Sequence, residues 1–164
     1  MGVPAQGERR RILITAGPTH EPIDAVRFIG NRSSGKLGVS LAAEAAARGH
    51  QTTLLLGPTP PQAVDTRVRV RGFRTTAELE SLLREEAPGT DVLIMAAAVA
   101  DYRPIPPQGF DPRAGKLRRQ SQRLTLELEP TPDLLAGCVQ RRTTGQLIVG
   151  FALEPRAELM TSAK

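Results

Sequence analysis

Three consecutive stretches decide the fold: RILITA at residues 11–16, GKLGVSLAAEAAAR at residues 35–48 and TTLLL at residues 52–56. The first and third are short apolar runs that predict buried strands. The second is rich in Ala, Leu and Glu, which favour helix. We expect Ser34 to cap the start of this helix and Gly49 to end it. Strand, helix and strand in this order are typical of a parallel sheet with helical connections.

The alternation of strands and helices continues along the rest of the chain. Further strands are predicted at residues 67–70, 91–98, 123–129 and 146–151, and further helices at residues 75–87, 132–142 and from 156 to 164. Thr75 or Thr76 caps the second helix, and Thr131 caps the third, with Pro132 at its first position.

We therefore predict an α/β protein with a Rossmann-like, doubly wound and mostly parallel sheet. Helices cover both faces, and ligands bind at the carboxyl ends of the strands. The Pro-rich segment 101–121 is predicted to be a long mobile loop, and loops of that length in compact domains are usually functional. We expect a flexible segment over residues 1–10 and one domain over residues 11–164.

Composition excludes several classes of protein. A chain of 164 residues suits one compact domain, and no apolar run approaches the ~18 residues of a membrane span, so we expect a soluble cytoplasmic protein without a membrane partner. A single cysteine, Cys138, and two histidines exclude a disulfide and a His/Cys metal cluster, and we expect Cys138 to be structural. Aromatic residues at 3% disfavour nucleic-acid stacking, whereas a net charge of +5 favours a nucleotide or phosphorylated metabolite.

The segment GNRSSGKL at residues 30–37 resembles a phosphate loop, and SGKLG at residues 34–38 resembles a dinucleotide-binding loop, but each departs from its motif. The first segment lacks the Ser or Thr of a phosphate loop, because Leu37 stands where a hydroxyl should hold magnesium. A NAD site would need a glycine fingerprint directly after the first strand and an acid after the second strand. The second strand is followed instead by Gly-Pro-Thr at residues 57–59.

The physics shared by both motifs still predicts a phosphate cradle. Ser33, Ser34, Gly35 and Gly38 lie at a helix start, where free N–H groups and the positive end of the dipole attract anions. Gly17, at the end of the first strand, is expected to line the same crevice. The alternative is an ordinary helix start in which Gly38 packs on the sheet.

Two further segments carry candidate chemistry. Small residues at 96–100 followed by Asp101 leave room for a flat ligand and offer it an acceptor, although Asp101 alternatively caps a turn. The run KLRR at residues 116–119 places cations on the mobile loop. A loop of this kind can close over a nucleotide and neutralise charge at phosphorus, or it is a solvated basic segment.

Five segments together resemble the phosphopantothenoylcysteine synthetase family, which in many bacteria is the carboxy-terminal half of a bifunctional flavoprotein of coenzyme A biosynthesis. They are ILITAGPTHEPIDAVRFIGNRSSGKLG at 12–38, VLIMAAAVADYRP at 92–104, GKLRRQ at 115–120, PTPDLLA at 130–136 and VGFALE at 149–154. The resemblance implies a homodimeric Rossmann-type ligase. It activates 4′-phosphopantothenate with CTP, or ATP, as an acyl-nucleotide and couples it to cysteine.

The resemblance also implies roles for individual residues. Asn31 contacts the acyl group, Arg27 is a basic residue near the same site, and Lys116 is the loop lysine that stabilises the transition state. The nucleotide and phosphate contacts implied are Gly17, Ser33, Ser34, Gly35, Gly38, Ala97, Ala98, Asp101, Pro132, Asp133, Leu134, Leu135 and Phe151. Magnesium would ride on the triphosphate rather than on a protein cage. No FMN is expected, because this sequence lacks the flavin decarboxylase half.

Two departures from the family keep alternatives open. The family's Lys-Ile-Lys-Lys loop is Lys-Leu-Arg-Arg here at residues 116–119, and Arg and Lys differ in geometry. Family members also continue beyond Lys164 with lysines that grip the triphosphate. The alternatives are a catalytically inactive nucleotide-binding relative and, opposed by the missing ribose acid, a NAD(P)-dependent reductase. The choice of CTP or ATP, and a separate decarboxylase chain as partner, stay open.

Overall fold

The fold is described by a computed structural model covering residues 8–119, 121 and 123–151. The strands are β1 Arg11–Pro18, β2 His20–Pro22, β3 Phe28–Gly30, β4 Gln51–Leu56, β5 Arg69–Gly72, β6 Val92–Ala98, β7 Tyr102–Pro104, β8 Leu128–Pro130 and β9 Leu147–Gly150. The α-helices are α1 Lys36–Ala47, α2 Thr76–Glu86 and α3 Leu134–Gln140, and a short 3₁₀ turn at Ala87–Gly89 follows α2.

Five parallel strands form the central sheet in the order β5-β4-β1-β6-β9. The chain builds outward from β1 through β4 to β5, and then crosses back to add β6 and β9 on the other side. The strand order therefore reverses between β1 and β6, which is where doubly wound proteins open a ligand crevice. The predicted α/β, Rossmann-like class is confirmed.

The side chains of β1 alternate between two hydrophobic cores, one on each face of the sheet. Ile14 packs with Ala42 of α1 on one face, and Leu13 packs with Leu79 of α2 and Cys138 of α3 on the other. Leu13 and Ile14 are fully buried, and each such side chain contributes about 1.5–3 kcal/mol to folding. Helices on both faces thus clamp β1 as the centre of the fold.

The starts of two helices differ from the prediction. Gly35, in the left-handed conformation with φ 71°, is the N-cap of α1, and no side chain caps it, so Ser34 is not the cap. In α3 the Asp133 carboxylate accepts from the N–H of Ala136, whereas the Thr131 hydroxyl donates to the carbonyl of Ala100. The predicted Thr131 cap is therefore wrong, because that hydroxyl ties α3 to the end of β6.

The predicted strand at residues 123–129 is also wrong in extent. Only Leu128–Pro130 is a strand, and it pairs antiparallel with Tyr102–Pro104, inside the segment predicted as loop. The alternating segment leads into a two-stranded ribbon rather than into the main sheet. Leu124 and Leu126 are accordingly exposed instead of filling a core.

Three predictions concern residues at the ends of the chain. The predicted helix over residues 156–164 and most of the N-terminal segment over residues 1–10 lie outside the described residues. The last predicted strand ends at Gly150 as β9, and Phe151 follows it as an exposed side chain. In the part of the chain that the structure describes, no helix has the length and apolarity to cross a membrane.

Candidate active site

Two glycines bring three chain segments together at the carboxyl end of β1. Gly17 and Gly35 both have positive φ, at 81° and 71°. A Cβ on Gly35 would lie 2.9 Å from the Thr59 methyl group and 3.4 Å from the Gly17 nitrogen. A Cβ on Gly17 would lie 3.0 Å from the same methyl group. Glycine is required at both positions by conformation and by space, because the start of α1 presses against the loop after β4.

A hollow of about 530 Å³ opens next to this contact. We call it the amide hollow; its lining residues are Pro18, His20, Asn31, Arg32, Ser33, Ser34, Pro58, Thr59 and Pro60. The structure thus brings Asn31, Ser33 and Ser34 to one surface. Gly38 lies elsewhere, since a Cβ on it would fall 2.4 Å from the Cβ of Ala16 on β1. Its place is the close packing of α1 on the sheet.

The start of α1, which follows Ser34 of the amide hollow in the chain, is suited to an anion. Within the described residues, the N–H groups of Lys36, Leu37 and Gly38 form no hydrogen bond, as expected for the first turn of a helix. The first turn of α1 contains no acidic residue to offset the positive end of the dipole. The Ser33 N–H is already used, because it donates to the carbonyl of Asn31 at 3.0 Å.

Asn31 is held at the edge of the hollow by the strand across the switch point. Its Nδ2 donates to the carbonyl of Val99 at 2.9 Å. A carbonyl only accepts, so this contact orients the amide and leaves Oδ1 and one N–H of Nδ2 for a ligand. Sequence reasoning missed Val99 because the contact spans 68 residues.

Two further residues of this region were not predicted. The His20 ring stacks on Phe28 with centroids 3.6 Å apart, and burial, aided by Arg74, lowers the pKa of His20. Gln62 donates from Nε2 to the carbonyl of Ser34 at 3.1 Å and to Thr59 Oγ1 at 3.0 Å. Gln62 therefore fixes the loop after β4 to the start of α1. Its position after a Pro-rich turn offers no sequence signal for this role.

A second cavity, of about 480 Å³, lies beside the turn between β2 and β3. We call it the cationic cavity; it is lined by Val26, Arg27, Lys116, Leu117, Arg118, Arg119, Arg123 and Leu124. All five of its ionisable lining residues are cations. The structure brings Arg27 and Lys116 together here, but Asn31 lines the amide hollow instead. The three residues predicted as catalytic are therefore divided between two cavities joined by β3.

Asp24 organises the cationic cavity and was absent from the sequence prediction. Its carboxylate is buried and accepts from Arg27 Nε at 3.0 Å and from the Leu117 N–H at 3.1 Å. The Arg27 guanidinium holds the pKa of Asp24 well below its usual range. The sequence offers little signal for this role, because an Asp is common in turns.

The remaining predicted contacts fall near the carboxyl end of β6. Ala97 and Ala98 pair with Gly17 and Pro18 of β1, and Thr19 donates to the Ala98 carbonyl at 3.1 Å. They flank the switch point between β1 and β6, and their predicted contact with a nucleotide stays a prediction. Exposed Asp101 accepts, through its backbone carbonyl, from the N–H of Thr131 at 2.9 Å.

The residues from Pro132 to Leu135 and Phe151 line neither the amide hollow nor the cationic cavity. Asp133 is used as the cap of α3, and Leu134 is buried in the core, which leaves only its backbone for a ligand. Leu135 and Phe151 are exposed beside Gly150 at the end of β9. The Cys138 thiol is buried, and burial raises its pKa, as expected of a structural cysteine.

The chain is similar to several known proteins. It is 44% identical over 151 residues to the coenzyme A biosynthesis bifunctional protein CoaBC of Mycobacterium tuberculosis, covering 88% of this chain and 35% of that protein. It is 40% identical over 154 residues to a cysteine/cysteine sulfinic acid decarboxylase of an unknown prokaryote, covering 94% of this chain and 42% of that protein. The chain thus spans between a third and a half of these curated relatives.

Solved structures share the fold. The crystal structure of the C-terminal domain of a CoaBC protein superposes with a TM-score of 0.74 at 34% identity, covering 93% of this chain and 69% of that one. A Cab2 mutant in complex with phosphopantothenate-cysteine superposes with a TM-score of 0.71 at 23% identity, covering 91% and 66%, and shows the fold alone. A family model matches residues 7–164. The chain therefore belongs to the family described as DNA/pantothenate metabolism flavoprotein C-terminal domain, the synthetase part of CoaBC that its motifs resemble.

Proposed function

We propose that this chain is a phosphopantothenate–cysteine ligase that activates 4′-phosphopantothenate with CTP. The observation that carries the proposal is the amide hollow, where the oriented amide of Asn31 shares one surface with Ser33 and Ser34, and α1 begins two residues after Ser34. Within the described residues, the N–H groups of the first turn of α1 form no hydrogen bond. Such a surface suits a phosphate linked to an acyl group: the N–H groups match the phosphate oxygens, and the neutral amide matches the carbonyl. The names and complexes of its relatives point to the same class of substrate.

The reaction has two steps that need positioning more than nucleophilic side chains. A carboxylate oxygen of phosphopantothenate attacks the α-phosphorus of CTP, and the bond to pyrophosphate breaks. The cysteine amine then attacks the acyl carbon, the bond to CMP breaks, and the amine loses a proton. In the proposal, the five cations of the cationic cavity neutralise the charge that develops on the phosphates.

In the proposal, a magnesium ion is carried by the nucleotide. Magnesium commonly binds through substrate phosphates with few protein ligands. Within residues 8–119, 121 and 123–151, His, Cys, Asp and Glu form no group of three or more suited to a metal ion. The proposal gives no side chain of this chain a metal-binding role.

Pyrophosphate release from CTP, in the presence of phosphopantothenate, tests the proposal. We expect Asn31→Asp to lower kcat by about 100-fold, because a carboxylate cannot donate to Val99 and repels the acyl-phosphate. We expect a similar loss for Lys116→Gln. Arg48→Gln is the matched control, since Arg48 forms only an exposed pair with Glu44 at the end of α1. It should retain full activity.

Three results would contradict parts of the proposal. Full activity in both site variants would show that Asn31 and Lys116 are not part of the active site. Thermal stabilisation by CTP without pyrophosphate release would favour the inactive nucleotide-binding relative. Selective stabilisation by NADPH would favour a reductase; β4 is followed by Gly-Pro-Thr at residues 57–59, without an acid for a ribose. Repeating the assay with ATP decides between the two nucleotides.

A further inference from the structure

The side chain of Asp24 is fully buried and accepts five hydrogen bonds. Oδ1 accepts from the backbone N–H groups of Val26 at 2.9 Å and Arg27 at 2.7 Å. Oδ2 accepts from Nε and Nη2 of the Arg27 side chain and from the Leu117 N–H. The two oxygens thus have separate tasks: Oδ1 shapes its own turn, and Oδ2 reaches a segment 93 residues away.

Two more hydrogen bonds join the same segments. Arg27 Nη2 donates to the Leu117 carbonyl at 3.1 Å, and the Ala25 N–H donates to the Gly115 carbonyl at 2.9 Å. Lys116 is therefore fixed on both sides through its neighbours, although its own side chain is exposed. Lys116 lies in the long connection between β7 and β8, and these contacts join that connection to the turn between β2 and β3.

A carboxylate is the group that this arrangement needs. Five donors converge on two oxygens, and only an ionised Asp or Glu offers acceptors alone on both. Bonds from a guanidinium to a carboxylate are charge-assisted and directional. Asp24 therefore sets the position of the Arg27 side chain and of the Leu117 backbone at the same time.

We infer that Asp24 is a positioning residue that latches the Lys116 loop to the Arg27 turn, so that both cations face one cavity. The inference rests on the proposed function for its activity readout, whereas the latch itself is measured independently. Asp24 lies behind Arg27 and Leu117, which themselves line the cavity.

Asp24→Asn separates the two tasks of the carboxylate. The amide oxygen can keep the bonds of Oδ1 to the Val26 and Arg27 N–H groups, so the turn is retained. The amide nitrogen then faces the donors of Arg27 and Leu117 and cannot accept from them. We expect kcat to fall about 100-fold, the effect of a catalytic group displaced by about 1 Å, with the KM for CTP changed less than threefold.

Asp65→Asn is the matched control. Asp65 accepts from the backbone N–H, Nε and Nη2 of Arg67 in the same manner, but none of its hydrogen bonds reaches another segment. A loss of kcat in Asp24→Asn and full activity in Asp65→Asn would separate the latch from the general effect of losing an Asp–Arg pair. Equal kcat values in the two variants would overturn the inference.

A double variant tests whether Asp24 acts through Lys116. In the Lys116→Gln background, Asp24→Asn should lower kcat by clearly less than its roughly 100-fold effect in the wild type, because Lys116, one of the two cations that it positions, is already gone. A purely structural role would instead reduce activity in both backgrounds by the same factor, and that outcome would overturn the inference.

Trypsin cleavage after Lys116, Arg118 and Arg119 measures the latch without any activity. We expect the initial cleavage rate at these sites to rise about tenfold in Asp24→Asn and to stay unchanged in Asp65→Asn. An unchanged rate in Asp24→Asn would overturn the latch. A raised rate in an enzyme that releases no pyrophosphate would confirm the latch while the proposed function fails.

Leu117→Pro keeps the inference testable if Asp24→Asn does not fold. It removes the one N–H that Oδ2 accepts from the loop and leaves the turn at residues 23–27 intact. Loss of kcat together with faster cleavage after Arg118 is expected, and wild-type values for both would overturn the inference.

Discussion

The amide hollow and the cationic cavity are built from different materials. The first is lined mainly by prolines and short polar side chains, and tightly packed glycines lie next to it. The second is lined by long cationic side chains, of which Arg27 is held by a buried carboxylate. Short side chains lose little entropy on binding, whereas long side chains must be ordered first. The hollow is thus suited to binding a ligand by its shape, and the cavity is suited to binding a ligand by its negative charge.

The packing of α1 on the sheet, next to the amide hollow, should be sensitive to added volume. Gly38→Ala should lower the free energy of unfolding by about 1–3 kcal/mol, because the new methyl group meets Ala16 at 2.4 Å and α1 must move off β1. Gly137→Ala in α3 is the matched control: its nearest neighbour is the flexible Arg141 side chain at 3.4 Å. The free energy of unfolding of Gly137→Ala should rise by up to about 1 kcal/mol, because Ala favours helix more than Gly does. Urea unfolding measures both, and equal effects would contradict the tight packing.

The cationic cavity should instead be sensitive to salt. Arg119→Gln should raise the KM for CTP about threefold at low ionic strength, the value of one exposed charge pair. The difference should vanish near 1 M NaCl, where charges are screened within ~3 Å. Ser33→Ala, in the amide hollow, should give a ratio to wild type that does not depend on salt. A salt-independent effect of Arg119→Gln would show that the charge of Arg119 does not contribute to CTP binding.

Acid should remove the stabilising effect of Asp65. The Arg67 side chain lowers the pKa of Asp65 to about 2, so this carboxylate stabilises the fold above the unfolded value near 4 and ceases to do so as pH falls through about 2. The urea midpoint of Asp65→Asn should differ from wild type at pH 7 and converge with it near pH 2. A constant difference between pH 7 and pH 2 would show that the Asp65 carboxylate does not titrate in this range.

The smallest expected effect concerns His20, at the edge of the amide hollow. Its pKa is lowered by burial, so the unfolded chain binds the proton more readily than the folded protein. Stability should therefore decline as pH falls below about 6.5, the unfolded value. His20→Gln should show a smaller decline in Tm between pH 7 and pH 5. An equal decline in both proteins would show that His20 titrates normally.

The regular part of the fold was predictable because its signals are local. The apolar runs at residues 12–16 and 92–98 and the Ala-rich helix carry their periodicity in consecutive residues. The Thr75 cap, with Glu78 completing a capping box, follows from a spacing of three residues. The strand predicted at residues 123–129 is shorter in the structure because it pairs only with the three-residue strand β7. No local sequence pattern identifies that partner.

The candidate site was predictable only where its residues are consecutive. Asn31, Ser33 and Ser34 reach one hollow because the chain turns there into α1. Sequence reasoning placed Arg27 and Lys116 with Asn31 in one catalytic set, but a three-residue strand separates Arg27 from Asn31 and puts them in different cavities.

By itself, the sequence determined the α/β class and the anion-suited start of α1, because propensity, periodicity and glycine spacing act within a few residues. Only the tertiary structure decided that Val99 orients Asn31, that Gln62 fixes the start of α1 and that Asp24 binds the Lys116 loop. These contacts join residues between 28 and 93 positions apart. Their partners are brought within hydrogen-bonding distance by the packing of the sheet, which no local signal encodes.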